Sequence, residues 1–379
     1  MNKTRESGIE LLKIIAIFLI VISHTNQTLT QTSSYISEYA KSFFDLNNFS
    51  LSLQIVVLQI SRYFGSLGNC IFFVCSAWFL CDNNKTKSSK IIHMIIDVFV
   101  ISMIITMIYL LSSEDISSMS LKSLLLPTTS QNNWYITCYL IFYAIHDKIN
   151  IIFENISQET HIRINIVLIA IYVLYGMLFN GAFEANNIVR FVVIYFIIAY
   201  IKKYMQNYCS NTKLNKIVLL VSIIGFIGLI VLSDVIGIYI PIKKLNPMRW
   251  NSQTNLFILM ISISSLMIFK NLDIHSKVIN EISSLSMLIY LIHENILFRS
   301  YTRVRIEYQL LEQFGRNNAV LIILLFSIVL LLASTIVAFV YQNTIQKATG
   351  FIANKVDELY TKIINKITKR IKESTKPNN

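Results

Sequence analysis

The sequence predicts an all-α integral membrane protein, a bundle of about ten transmembrane helices with both termini in the cytoplasm. Three observations predict it. The 379 residues are 54% hydrophobic and only 14% charged, too little charge for a soluble domain to solvate its own surface. Apolar runs of about 17–25 residues, long enough to cross a bilayer as helices, follow one another with short polar stretches between them. Basic residues gather in alternate intervening stretches, as membrane orientation demands.

Taken in order, the spans fall near residues 9–25, 67–81, 91–112, 133–153, 164–181, 188–202, 214–236, 254–271, 283–299 and 318–342. The first run lacks a small-residue cleavage site and opens with Glu10 and Lys13, so it reads as a retained helix and not a signal peptide. Residues 51–64 mix Leu, Ile and Val with Ser, Gln and Arg62, the pattern of an interfacial helix. An even number of spans puts both ends on one side. A cytoplasmic N-terminus leaves about 21 Lys/Arg in the tails and inner loops against about 9 outside, with Lys13, Arg62 and Arg190 in or beside spans. The inner loops carrying Lys85, Lys87 and Lys90, and Lys202, Lys203, Lys213 and Lys216, support this independently of the basic tail.

After the last span, Ile352, Val356, Leu359, Ile363, Ile364, Ile367 and Ile371 recur at helical spacing opposite Lys355, Lys362, Lys366, Lys369 and Arg370. That tail is expected to lie on the anionic inner leaflet as an amphipathic helix, before a polar end at Glu373–Asn379. The chain therefore divides into a transmembrane domain, 1–342, and a basic amphipathic tail, 343–379. No internal repeat and no soluble domain interrupts it.

A formal charge of +12 invites a nucleic-acid reading, but the basic residues flank apolar spans and form no aromatic-interleaved patch. No nucleic-acid partner is expected. Cys70, Cys75, Cys81, Cys138 and Cys209 mostly sit in or at the ends of apolar segments with no CxxC pair, so neither a disulfide framework nor a metal site is suggested.

Polar groups inside spans are expensive, and each needs a reason. Lys13 and His24 are eleven residues apart, which at 100° per residue brings them within about 20° of one helix face and about 16 Å apart along the axis. A cation near the cytoplasm and an imidazole near the outer surface thus look into the same side of the bundle. Imidazole can take a proton from an acceptor hydroxyl and return it to a leaving group, as acyl transfer needs. The spacing equally allows His24 to be an interfacial residue ahead of Thr25-Asn26-Gln27, and Lys13 to snorkel. His293-Glu294-Asn295 breaks another span with three consecutive polar residues, which suits coordination or helix–helix hydrogen bonding.

The run from Gly8 through Glu10 and Lys13 to His24 resembles the opening signature of the acyltransferase-3 family of integral-membrane acyltransferases. Three further stretches are similar to that family's motifs. They are Ser61-Arg62-Tyr63 with Ile71 to Leu80 including Ser76, Asn133-Trp134-Tyr135-Ile136, and Leu285-Ser286 through Tyr290 to His293. Two positions depart from the pattern: Lys13 stands where arginine is usual, and Ala77-Trp78 replaces Gly-Phe. Lysine keeps the charge but loses the bidentate fork.

The resemblance implies His24 as general base and Lys13 as a donor-site cation, with Glu10, Ser76 and Trp134 on the donor side. Arg62, Tyr290, His293 and Glu294 fall to the acceptor. It implies acyl-CoA, acetyl-CoA in the simplest case, as a cytoplasmic co-substrate, and no tightly bound cofactor. Its partners would be a cell-surface or lipid-linked glycan and membrane lipids, its place the cell membrane. The lysines at 85–90 and 202–203 read either as contacts for nucleotide phosphates or as plain topology signals. Two other classes fit the same buried polar groups: a transporter or flippase for a polysaccharide precursor or lipid, and a sensory or assembly subunit without turnover.

Overall fold

The computed structural model describes residues 6–30, 49–112, 133–178, 187–239, 250–315 and 318–374. Within them every regular element is a helix, as lipid requires of a chain that cannot leave backbone groups unpaired. The helices are α1 Ser7–Thr30, α2 Phe49–Arg62, α3 Phe64–Leu80, α4 Ser88–Leu111 and α5 Trp134–Asn155. Then come α6 Gln158–Leu168, continued by a π-helical turn over Ile169–Tyr175, and α7 Asn187–Tyr204. The other helices of eight or more residues are α8 Thr212–Tyr239, α9 Leu256–Lys270, α10 Lys277–Ser284, α11 Ser286–His293, α12 Val304–Phe314, α13 Ala319–Asn343 and α14 Ile345–Ser374.

Seven stretches among these are long and apolar enough to cross a membrane: Ser7–Asn26, Val56–Leu80, Ser88–Leu111, Trp134–Asn155, Gln158–Leu178, Thr212–Ser233 and Ala319–Asn343. The protein is thus an all-α, multi-pass membrane protein. The three other spans read from the sequence are also helical, but each differs from a long apolar rod. α7 carries Arg190, Lys202 and Lys203, α9 is only 15 residues, and residues 283–299 are broken after Ser284 and again at Glu294. Residues 179–181 of the 164–181 span lie outside the described residues. The segment 51–64, expected as an interfacial helix, is helical as α2 and runs almost directly into α3, but from Val56 on it belongs to the membrane-length Val56–Leu80 stretch.

α1 is the centre of the bundle and packs antiparallel to α3. Ser23 Oγ donates to the Arg62 carbonyl at 2.6 Å at one end, and Lys13 Nζ stands 5.4 Å from the Phe79 ring at the other. The approach is close because α3 presents glycine there. A Cβ added at Gly68 would fall 2.5 Å from the Ala16 carbonyl oxygen, and one at Gly65 would fall 2.7 Å from Ser23 Oγ. Gly68→Ala is therefore expected to destabilise by about 1–3 kcal/mol, because the helical propensity gained is smaller than the overpacking it causes. A lowered thermal midpoint in detergent would show it, and an unchanged one would mean the helices part freely.

Buried aromatic rings fill the space between α3, α5 and α7. Phe73 stacks on Phe191 with centroids 3.9 Å apart and meets Phe142 edge-on at 5.0 Å. At the bundle rim, α14 runs antiparallel along the first ten residues of α4. Ser88 Oγ donates to Asp357 at 2.6 Å, His93 Nε2 meets Asn354 Oδ1 at 3.2 Å, and Gln346 Nε2 donates to Asp97 at 2.7 Å. Asp97, buried inside a membrane stretch, also accepts from Tyr341 of α13 at 2.9 Å. The tail expected from the sequence is thus one helix whose first half is pinned to α4. Side chains beyond Ile367 lie outside the described residues.

Candidate active site

Three polar residues near the end of α1 fix its geometry. Ser23 holds the Arg62 carbonyl, Thr25 Oγ1 meets Ser327 Oγ at 2.6 Å, and Asn26 Nδ2 donates to Ser61 Oγ at 2.8 Å. These neighbours bind α2 and α13, and His24 between them faces the broken segment that follows α11. There Nδ1 of His24 lies 2.9 Å from Glu294 Oε2 and 3.1 Å from His293 Nε2.

The hydrogen bonds assign the tautomers. His293 Nδ1 is 2.7 Å from the Ile289 carbonyl and must donate to it, so Nε2 carries a lone pair. His24 therefore holds its proton on Nδ1, aimed at Glu294 and His293. In the neutral ring the lone pair is then on Nε2, an atom with no hydrogen-bond partner among the described residues. A carboxylate that fixes one imidazole nitrogen as donor and leaves the other as acceptor is the arrangement a general base requires.

Glu294 is itself tightly held. Arg299 Nη1 donates to Oε1 at 2.6 Å and Arg303 Nη1 to Oε2 at 3.1 Å. Arg303 is only 1% exposed, reaches the His293 carbonyl at 3.4 Å, and lies 3.8 Å from buried Glu307. Each carboxylate oxygen thus has a guanidinium as charge-assisted partner. The chain presents these side chains by changing pitch. α11 ends at His293, and a π-helical turn over Phe298–Arg303 delivers Arg303 to the interior.

His24, His293 and Glu294 bring three ligand atoms within 4.8 Å of one another, a spacing compatible with a metal ion. Both Glu294 oxygens already accept from guanidiniums, however, and cationic neighbours oppose a further cation. With Glu294 already engaged at both oxygens, the cluster suits proton handling better.

Beside it lies a cavity of ≈ 220 Å³ walled by α1, α3, α4, α5, α10 and α11. Tyr290 lines it, with its ring centroid 6.4 Å from that of His24. The opposite region is cationic: Lys13 and Lys90 both line the cavity, and Lys90 sits 4.4 Å from the Tyr143 ring centroid. Ser76 lines it as well, its hydroxyl tied to the Phe72 carbonyl at 3.0 Å. Glu10 does not line it. Its carboxylate holds Lys13 at 3.2 Å and accepts from Ser283 at 2.5 Å, so it acts through Lys13.

The structure thus gathers His24, Tyr290, His293 and Glu294 at one place, and Lys13 and Ser76 along the adjoining cavity. Trp134 stands outside the lining, edge-on to Tyr135 at 5.6 Å. Arg62 is also outside it, its backbone near His24 through Ser23. Sequence reasoning passed over Arg299, the last residue of the 283–299 span, and Arg303 and Glu307 just beyond it. The signal available was their spacing of four, one face of a helix, directly after a polar break in an apolar run.

An all-helical membrane bundle with a carboxylate-held imidazole beside a cationic cavity defines a membrane protein equipped for group transfer. The acyltransferase domain model of the acyltransferase-3 family matches residues 6–340, and the chain belongs to that family. No curated protein and no solved structure matches the chain. Membership implies acyl transfer, and α14 lies beyond the matched region.

Proposed function

We propose that this protein moves an acetyl group from acetyl-CoA, entering on the side of the two termini, to a hydroxyl of a cell-surface or lipid-linked glycan at the cell membrane. The observation that carries the reading is the placement of His24, with Nδ1 held by Glu294 and Nε2 open, beside a cavity whose other region carries Lys13 and Lys90.

In this mechanism His24 Nε2 takes the proton of the acceptor hydroxyl as its oxygen attacks the thioester carbonyl carbon. A C–O bond forms, the C–S bond breaks, and the imidazolium returns the proton to the departing thiolate sulfur. Glu294 keeps the ring oriented and stabilises the imidazolium while it lasts. Lys13 and Lys90 offer charge to the anionic part of the donor, and the apolar walls at Ile17, Ile20 and Phe72 suit a slender acyl-bearing arm.

The test compares O-acetyl signals in surface glycan from a deletion strain, its complement and a His24→Gln complement. The expected result is loss of the signal in the first, recovery in the second and loss in the third. Full signal with His24→Gln would move the reading to a transporter or a non-catalytic subunit.

Donor binding gives a separate expectation. Lys13→Arg should preserve donor affinity, because the charge stays opposite Glu10. Lys13→Leu should weaken it about ten- to a hundredfold, the value of about 1.5–3 kcal/mol for one charge-assisted contact. Equal affinity in a well-folded Lys13→Leu protein would leave Lys13 as the partner of Glu10 alone.

A further inference from the structure

α14 has three faces, and two of them meet no protein along most of its length. At 100° per residue Gln346, Asn354 and Asp357 fall on one face, the one bonded to α4. Ile352, Val356, Leu359, Ile363 and Ile367 form a second, and all five are exposed. Lys347, Lys355, Lys362 and Lys366 fall on the third, directly beside the apolar stripe. Of the acids, Asp357 is on the docked face, whereas Glu358 falls on the basic one. From 345 to the end, eight Lys/Arg stand against three Asp/Glu.

An exposed aliphatic stripe edged by lysines matches the interface of an anionic bilayer, with the stripe among acyl chains and the ammonium groups at phosphate depth. The docked face fixes where that surface lies. It joins α14 to the end of α4 that also carries Lys90, at the same edge of the bundle as the start of α1 and the end of α13.

We infer that α14 is a docking surface for anionic phospholipid headgroups, and that its contact with them braces the Lys90 end of α4. The brace bears on donor binding only through the proposed function, whereas the lipid contact stands without it.

The test is amide hydrogen exchange on the full-length protein in nanodiscs of phosphatidylcholine alone and of phosphatidylcholine with phosphatidylglycerol in equal parts. With anionic lipid, exchange over Ile345–Ser374 should slow about tenfold or more, as several lysines near a charged surface contribute together. The first turns of α4 from Ser88 should slow in parallel. High salt should remove the effect, because about 0.5 M shortens the screening length to roughly 4 Å. A variant with Lys347, Lys355, Lys362 and Lys366 all changed to Gln should exchange alike in both lipids, and these surface changes leave the docked face intact.

Equal exchange of the unaltered protein in the two lipids would overturn the headgroup contact. Protection that instead rises with protein concentration in detergent would assign the face to a second copy and also overturn it. A slowed tail with α4 unchanged would overturn the brace. None of these readouts depends on acyl transfer, so a failure of the proposed function would register separately.

Discussion

His24→Gln is expected to lower the acyl-transfer rate by about 10²–10⁴, the usual contribution of a positioned base, with little change in thermal midpoint. Glutamine can still donate from its amide to Glu294, so the polar network survives while the proton acceptor is lost. Purified protein in nanodiscs, acetyl-CoA and a glycan acceptor give the rate, and a melting curve gives the control. His24→Gln with the unaltered rate would reduce His24 to a structural link between α1 and the segment after α11. A large fall in midpoint alongside a lost rate would mean that the imidazole holds the fold, and the assignment of its Nε2 as base would lose its support.

Arg303→Met should produce the largest stability effect in the molecule. Methionine fills much of the arginine's volume but leaves Glu294 with one guanidinium and deprives Glu307 of its ion pair. Removing one partner from a buried ion pair typically costs about 3–5 kcal/mol. The expected readouts are a much lowered thermal midpoint and poor recovery from the membrane. If Arg303→Met melts like the parent protein, the buried network does not contribute in the way its geometry indicates. Arg299, about one third exposed, should matter less because water can take over part of its role.

Much of this arrangement was legible because membranes punish misplaced polarity. His24 and His293-Glu294-Asn295 stood out as polar groups in apolar runs, and the structure places His24, His293 and Glu294 in contact. Their pairing was not legible, since 269 residues separate the two histidines and no periodicity spans that distance. Arg303 was hidden for a different reason. A cluster of arginines near a membrane surface reads as a topology signal, and only the π-helical turn brings this one inward. Asp97 was missed in the same way as any single acid within a long apolar helix, its partner Tyr341 being 244 residues away. Helix identity followed readily from hydropathy. Length did not, because α9, α10 and α11 are short pieces: side chains of Asn255 and Ser276 cap the starts of α9 and α10, and α11 ends at the polar break at Glu294.

The contact of α1 with Gly65 and Gly68 has a mechanical side. Two helices that approach until a single methyl group would collide have no slack, so neither can roll or slide against the other without breaking van der Waals contact along the seam. The wall of the cavity that carries Lys13, Ile17, Asn69 and Ser76 is in effect one slab. Any widening that admits a bulky molecule falls to the opposite wall, where α4 and α5 meet the cavity through long, hinged side chains such as Lys90, Met94 and Tyr139. In any such widening α1 and α3 are the fixed jamb, and the imidazole belongs to the jamb.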